Sequence, residues 1–219
     1  MMRFLPVLLL YLLAAGTVVA PALATESHEC FSRDNERRIA ACSRLIETPG
    51  LATDTLGSAY AMRALGYSMK GQYDSAVRDY DRAISLVPEF PMALNNRAWA
   101  YFRWGRAAEG LPDVEKSLKL DPTSEHAYDT RAHIRQWLGN SAAAIEDYNT
   151  AMRVGGRAMI KTYQCGLNAQ RLYHGAMDGH YSPALGRALR ACVERGPDCD
   201  PLPQGEALPP DEECYVASS

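Results

Sequence analysis

The sequence predicts an all-α protein built as a solenoid of helical hairpins. Three observations carry that expectation. Gly71, Gly105 and Gly139 fall 34 residues apart, as do Pro88 and Pro122, and Ala64, Ala98 and Ala132. Between these markers, apolar residues recur at helical rather than alternating spacing. The stretch 43–164 also contains no cysteine, so packing alone must hold it. A fixed period of this length is the mark of a stacked array, in which one hairpin cannot bury its apolar face without a neighbour.

The chain opens with a segment outside that scheme. Arg3 is the only charge before Glu26, residues 5–19 are almost continuously apolar, and Ala22-Leu23-Ala24 offers small residues at two spaced positions. Positive, apolar, then small reads as a secretory signal cleaved near Ala24. The competing reading is an uncleaved anchor, although the run is short for a membrane span. The expected location is periplasmic or secreted. The 219 residues carry 23 basic and 26 acidic side chains, a net of −3. No basic face follows, so nucleic acid is not expected as a partner. No later stretch reaches the roughly 20 apolar residues of a span.

Residues 25–56 are expected to cap the array. Asp34 or Asn35 starts an amphipathic helix over 34–47 that carries Ile39, Leu45 and Ile46. Three repeats follow at 57–90, 91–124 and 125–158. Their first helices are placed at 57–70, 91–104 and 125–138, and their second at 73–86, 107–120 and 141–154. Glycine closes each first helix because it enters the left-handed region at little cost. Asn140-Ser141 caps the next helix, and Pro88 and Pro122 stop the second helices. Arg63, Arg97 and Arg131 each precede Asp79, Asp113 and Asp147 by 16 residues. This register predicts helix-to-helix salt bridges. The alternative is two separately solvated surfaces.

The pattern resembles the tetratricopeptide repeat family. Tyr60, Ala64, Tyr67, Gly71, Tyr73, Ala76, Tyr80, Ala83 and Pro88 carry it in the first repeat. Leu94, Ala98, Tyr101, Gly105 and Pro122 carry it in the second, and Tyr128, Ala132, Gly139, Ala144, Tyr148 and Ala151 in the third. Gly110, Val114 and Ser117 depart from it, so the second helix of that repeat is expected to pack loosely. Arg135 stands where an aromatic is usual. The resemblance implies a concave groove, lined by the first helices, that holds a protein or peptide partner. In that register the groove residues are Asn96, Trp99, Arg103, His133 and Trp137. Trp and Arg are the types that dominate binding hot spots. Against this, both tryptophans could equally fill space between repeats. Of the lysine and asparagine set with which some family members grip a terminal carboxylate, only Asn96 is present.

Residues 159–195 read as a small helical unit: a helix from Ile160 to Leu172, a turn through Gly175 and Asp178-Gly179, and a second helix from Ser182-Pro183 with Leu185, Leu189 and Cys192 inward. Gln164, Leu167, Tyr173, Gly175, Asp178, Gly179, Tyr181, Ala184, Ala188 and Leu189 resemble a peptidoglycan-binding-like domain. The resemblance implies a wall-binding turn at Tyr173, Asp178 and Tyr181. Residues 196–219 are expected to be an irregular tail. The six cysteines, Cys30, Cys42, Cys165, Cys192, Cys199 and Cys214, suit disulfides in an exported chain. Pairing by neighbours gives 30 with 42, 165 with 192 and 199 with 214. The alternative joins Cys199 to one of the two helix cysteines.

These features favour a non-enzymatic exported scaffold with no cofactor and no metal. Two other classes compete with it. His174, Asp178 and His180 could serve a hydrolase or metal enzyme, although the histidines are six apart across two glycines and a zinc site wants three or four convergent ligands. A redox-responsive envelope protein would need an exposed low-pKa thiol. No Gly-x-Ser-x-Gly elbow, phosphate loop or His-Glu-x-x-His pattern occurs.

Overall fold

A computed structural model of the chain describes residues 27–203. The leader at 1–24, most of the expected tail and Cys214 lie outside them. Residues 27–30 are helical, and eight helices follow. α1 spans Asn35–Ile46, α2 Thr53–Met69, α3 Tyr73–Leu86, α4 Pro91–Arg103, α5 Ala107–Leu120, α6 Glu125–Trp137, α7 Ser141–Ala169 and α8 Pro183–Glu194. No strand occurs among the described residues, and none of their helices is long and apolar enough to cross a membrane. The pairs α2–α3, α4–α5 and α6–α7 are antiparallel hairpins, and α1 packs on α2 as the leading cap.

Local chemistry sets the ends of these helices. Asp34 accepts from the Arg37 amide at the start of α1, Ser124 from Ala127 at α6, and Ser182 from Leu185 at α8. Gly71, Gly105 and Gly139 take φ near +72° to +79°. After each, the next amide donates back across the turn: Gln72 to Tyr67, Arg106 to Tyr101, and Asn140 to Arg135. This bond satisfies a carbonyl that the helix end would leave unmet.

Alanine lets the paired helices approach closely. Ala64, Ala98 and Ala132 are fully buried, with Tyr80, Val114 and Tyr148 filling the space opposite. Gly110 is not the loose point the sequence suggested. A Cβ there would lie 2.7 Å from the Ala98 carbonyl oxygen and 3.0 Å from its Cα, so α4 and α5 meet backbone to backbone. Ser117 is likewise used, donating to the Pro91 carbonyl at 2.8 Å.

All three arginine–aspartate pairs form as two-pronged bridges. Nε and Nη2 reach the two carboxylate oxygens at 2.7 and 2.8 Å for Arg63–Asp79, 2.7 and 2.7 Å for Arg97–Asp113, and 2.8 and 2.7 Å for Arg131–Asp147. The fork geometry fixes the register of one helix on the other. Arg135, the departure from the aromatic pattern, adds Nη1 to the same Asp147 at 2.7 Å.

The C-terminal unit does not stand apart. α7 is two helical segments that meet at Gly156, whose φ of 59° and ψ of −145° suit glycine alone, so the helix expected at 141–154 does end near Gly155-Gly156. Residues 157–169 then stack on α6 as a fourth first helix, with α8 as its partner. The small-residue ladder explains this, since Gly166 follows Ala132 by the same 34 residues. One core joins Ala144, Tyr148 and Met152 to Tyr163, Leu167, Leu185, Leu189 and Val193. Cys30 is bonded to Cys42. Pairing by neighbours fails further on, where Cys192 is bonded to Cys199, the alternative left open by the sequence. The chain reverses through a 3-10 turn at Gly196–Asp198, which returns Cys199 to the end of α8 and keeps it from any pairing with Cys214. Cys165 is also in a disulfide, and not with Cys192.

Candidate functional site

The first helices α2, α4 and α6 approach one another directly, so their outward residues share one inner face. On that face, Arg103, His133 and Trp137 surround a cavity of about 290 Å³, with Phe102, Gln136, Pro197 and Asp200. Trp137 is 45 % exposed, and Arg103 is exposed as well. Phe102 meets Trp137 edge-on with ring centres 6.0 Å apart. The Arg103 guanidinium lies 5.8 Å from the centre of the half-buried Trp99 ring. Trp99 also contacts Phe102 and His133, so it both packs and lines the site. Asn96 does not join this group. It accepts from Asn95 Nδ2 at 3.2 Å and lines a separate depression with Met92 and His126.

His133 is no open groove residue. It is 3 % exposed and forms the hub of a buried polar network. Nδ1 donates to the Asp129 carbonyl at 2.8 Å, and Nε2 to Asp200 Oδ1 at 3.1 Å. Burial alone would disfavour the charged ring, but Asp129 and Asp200 outweigh it and carry its pKa from 6.5 up to about 9. His133 is therefore an imidazolium at neutral pH. Burial pushes the Asp129 carboxyl up too, against the pull of His133 and of Tyr163, whose hydroxyl donates to it. Burial also holds the Tyr148 and Tyr163 hydroxyls well above their ordinary value, so both stay neutral.

A strap from beyond α8 completes the site. Gln136 Nε2 donates to the carbonyls of Gly196 and Cys199, both at 2.7 Å, and Gln136 Oε1 accepts from Tyr148 at 2.8 Å. Pro201 and Leu202 lie directly on Gly166, where a Cβ would be 2.1 Å from the Pro201 oxygen. Asp200, Gln136, Asp129 and Gly166 were not among the sequence candidates. Only Gly166 carried a signal, the continued 34-residue ladder. His133 has its pKa raised on folding, so its stabilising effect is complete below about pH 6.5 and is lost as pH rises through about 9. Asp129, also raised, acts with the same sign. Amide exchange over 196–203 is accordingly expected to stay slow at pH 6.5 and, after correction for intrinsic rates, to quicken above pH 9.

The turn of histidines is held by hydrogen bonds of its own. Asp178 Oδ1 accepts from the His180 amide at 2.8 Å and from Gln164 Nε2 at 3.3 Å, and these bonds hold its carboxyl below its ordinary pKa. Tyr173 is buried and donates to the Ala176 carbonyl, whereas Tyr181 is exposed. Among the described residues no group of three or more His, Cys, Asp or Glu side chains is placed to hold a metal.

Residues 67–105 match the family model "TPR repeat" and residues 93–124 the model "Tetratricopeptide repeat". The stretch 67–124 is thus similar to tetratricopeptide repeats. Over 81 residues, 37 % of this chain and 14 % of the relative, the sequence is 36 % identical to "Hsp70-Hsp90 organizing protein 2" of Arabidopsis thaliana. Over 92 residues, 42 % of this chain and 18 % of the relative, it is 32 % identical to human "Serine/threonine-protein phosphatase 5". The chain thus spans less than a fifth of either relative. The solved structure "MamA RS-1 ArsTM double mutant" superposes with a TM-score of 0.56 at 17 % identity, covering 82 % of this chain and 97 % of that one. That likeness shows the fold and extends beyond the matched repeats to most of the array.

Proposed function

We propose that the chain is a non-enzymatic, exported scaffold that holds a protein or peptide partner on the inner face of its tetratricopeptide repeats. The observation that carries this is the cavity bounded by Phe102, Arg103 and Trp137, where two exposed side chains of hot-spot type stand at one opening. The name of the organizing protein among the relatives agrees with a scaffold. The leader-like residues 1–24 and the disulfides support export. Of Tyr173, Asp178 and Tyr181, the first is buried and the other two are exposed, and the partner proposed here is the one on the inner face.

Phage-displayed random peptides selected on the full chain test this reading. Arg103→Glu and Trp137→Ala are each expected to weaken the selected peptides at least about tenfold, as removal of a hot-spot side chain does. Lys119→Ala, on the outer helix α5, should leave binding unchanged. Peptides that bind all three variants equally would place the partner surface elsewhere.

A further inference from the structure

The strap on the third repeat is held by contacts that read a short motif rather than a fold. His133 takes one carboxylate from the strap, that of Asp200. Gln136 takes two main-chain carbonyls. The Asp200 carboxylate also accepts from the Leu202 amide at 2.9 Å, which bends the chain so that the Pro201 carbonyl meets the bare backbone face of Gly166. Pro201 is buried and Leu202 packs against the core, so an acid, a proline and an aliphatic residue, plus main chain, make these contacts.

We propose that this stretch of the inner face is a docking site for a short segment of the Asp-Pro-aliphatic type, and that the chain's own Asp200-Pro201-Leu202 fills it in cis. The assignment rests on the partner reading above and names the chemistry of that partner. Charge complementarity supports it: the buried His133 ring meets Asp129 of its own helix on the Nδ1 side and turns Nε2 toward the strap, where a second carboxylate, that of Asp200, lies 3.1 Å away. The Cys192–Cys199 bridge ties the strap to α8. Such a tether sets an effective concentration on the order of millimolar or above, which a free peptide cannot match on contacts alone. A partner has one advantage. The strap leaves the cavity beside Arg103 and Trp137 unfilled, and a longer segment can place a further side chain there.

The test uses the full chain carrying Cys192→Ser, Cys199→Ser and Asp200→Ala, which removes the tether to α8 and the resident anion and keeps the disulfide of Cys165. The probe is a labelled synthetic peptide spanning residues 196–203 with Cys199→Ser, followed by fluorescence anisotropy. Amide exchange over 196–203 of the protein reports release of its own strap. The expected result is fast exchange over the strap and saturable binding of the probe. That binding should be at least about tenfold tighter than to the native chain and at least about tenfold weaker for a probe carrying Asp200→Ala. Released strap without probe binding would overturn the proposal. So would a strap still protected in the triple variant, since something other than this motif would then hold it. Should the phage-selected peptides still depend on Arg103 and Trp137 in either of those cases, the scaffold reading stands and only the motif falls.

Discussion

Asp147→Ala is expected to lower the unfolding free energy by about 2 to 3 kcal/mol, the largest loss among the three equivalent aspartates. Its carboxylate is 3 % exposed and accepts from Arg131 twice and from Arg135 once. Removal leaves two guanidinium groups facing each other across an empty site. Breaking a fully buried pair costs roughly 3 to 5 kcal/mol, and these arginines, about one-fifth exposed, recover part of that from water. Asp113→Ala should cost only about 1 kcal/mol, because Arg97 keeps Asp81 at 2.6 Å. Urea denaturation of both variants measures the difference. Equal losses would mean that the shared anion contributes nothing beyond a single bridge.

Gly166→Ala should separate the strap from the array. Within a helix, alanine is favoured over glycine by about 1 kcal/mol, so α7 itself gains. The new methyl, however, would sit 2.1 Å from the Pro201 oxygen and 2.6 Å from the Leu202 carbonyl carbon. Main chain cannot yield as the end of a side chain can, so the strap must leave. The expected outcome is lost amide protection over 196–203, a His133 ring that titrates closer to 6.5, and unchanged protection in α2 to α5. Retained protection over the strap would show that its backbone can shift without letting go of Gln136.

The sequence makes the hairpins, the helix caps and the Arg–Asp bridges legible, because each is written in a fixed spacing. A 34-residue step names the repeats, and a 16-residue step within each names the bridges. Gly110 misleads because a missing side chain looks like a missing contact, whereas here the backbone of Ala98 takes its place. The strap is illegible for a different reason. Asp200 meets His133 across 67 residues, outside any period, and depends on the chain reversing at Gly196–Asp198. The same reversal decides that Cys199 joins Cys192. His133 was legible as an inner-face residue through its register with Trp99, but its role as a buried cation needed the strap to be in view.

The kinked helix α7 bears on how this chain can be inherited. Repeat proteins commonly gain and lose whole units at turns, where few contacts are cut. A break beside the kink at Gly156 would instead halve one core, stranding Tyr148 and Met152 from Tyr163, Leu167 and Leu189. The last hairpin, its disulfide and its strap are therefore not a detachable cassette. They must travel with the third repeat, and the unit of exchange runs from Glu125 to at least Leu202.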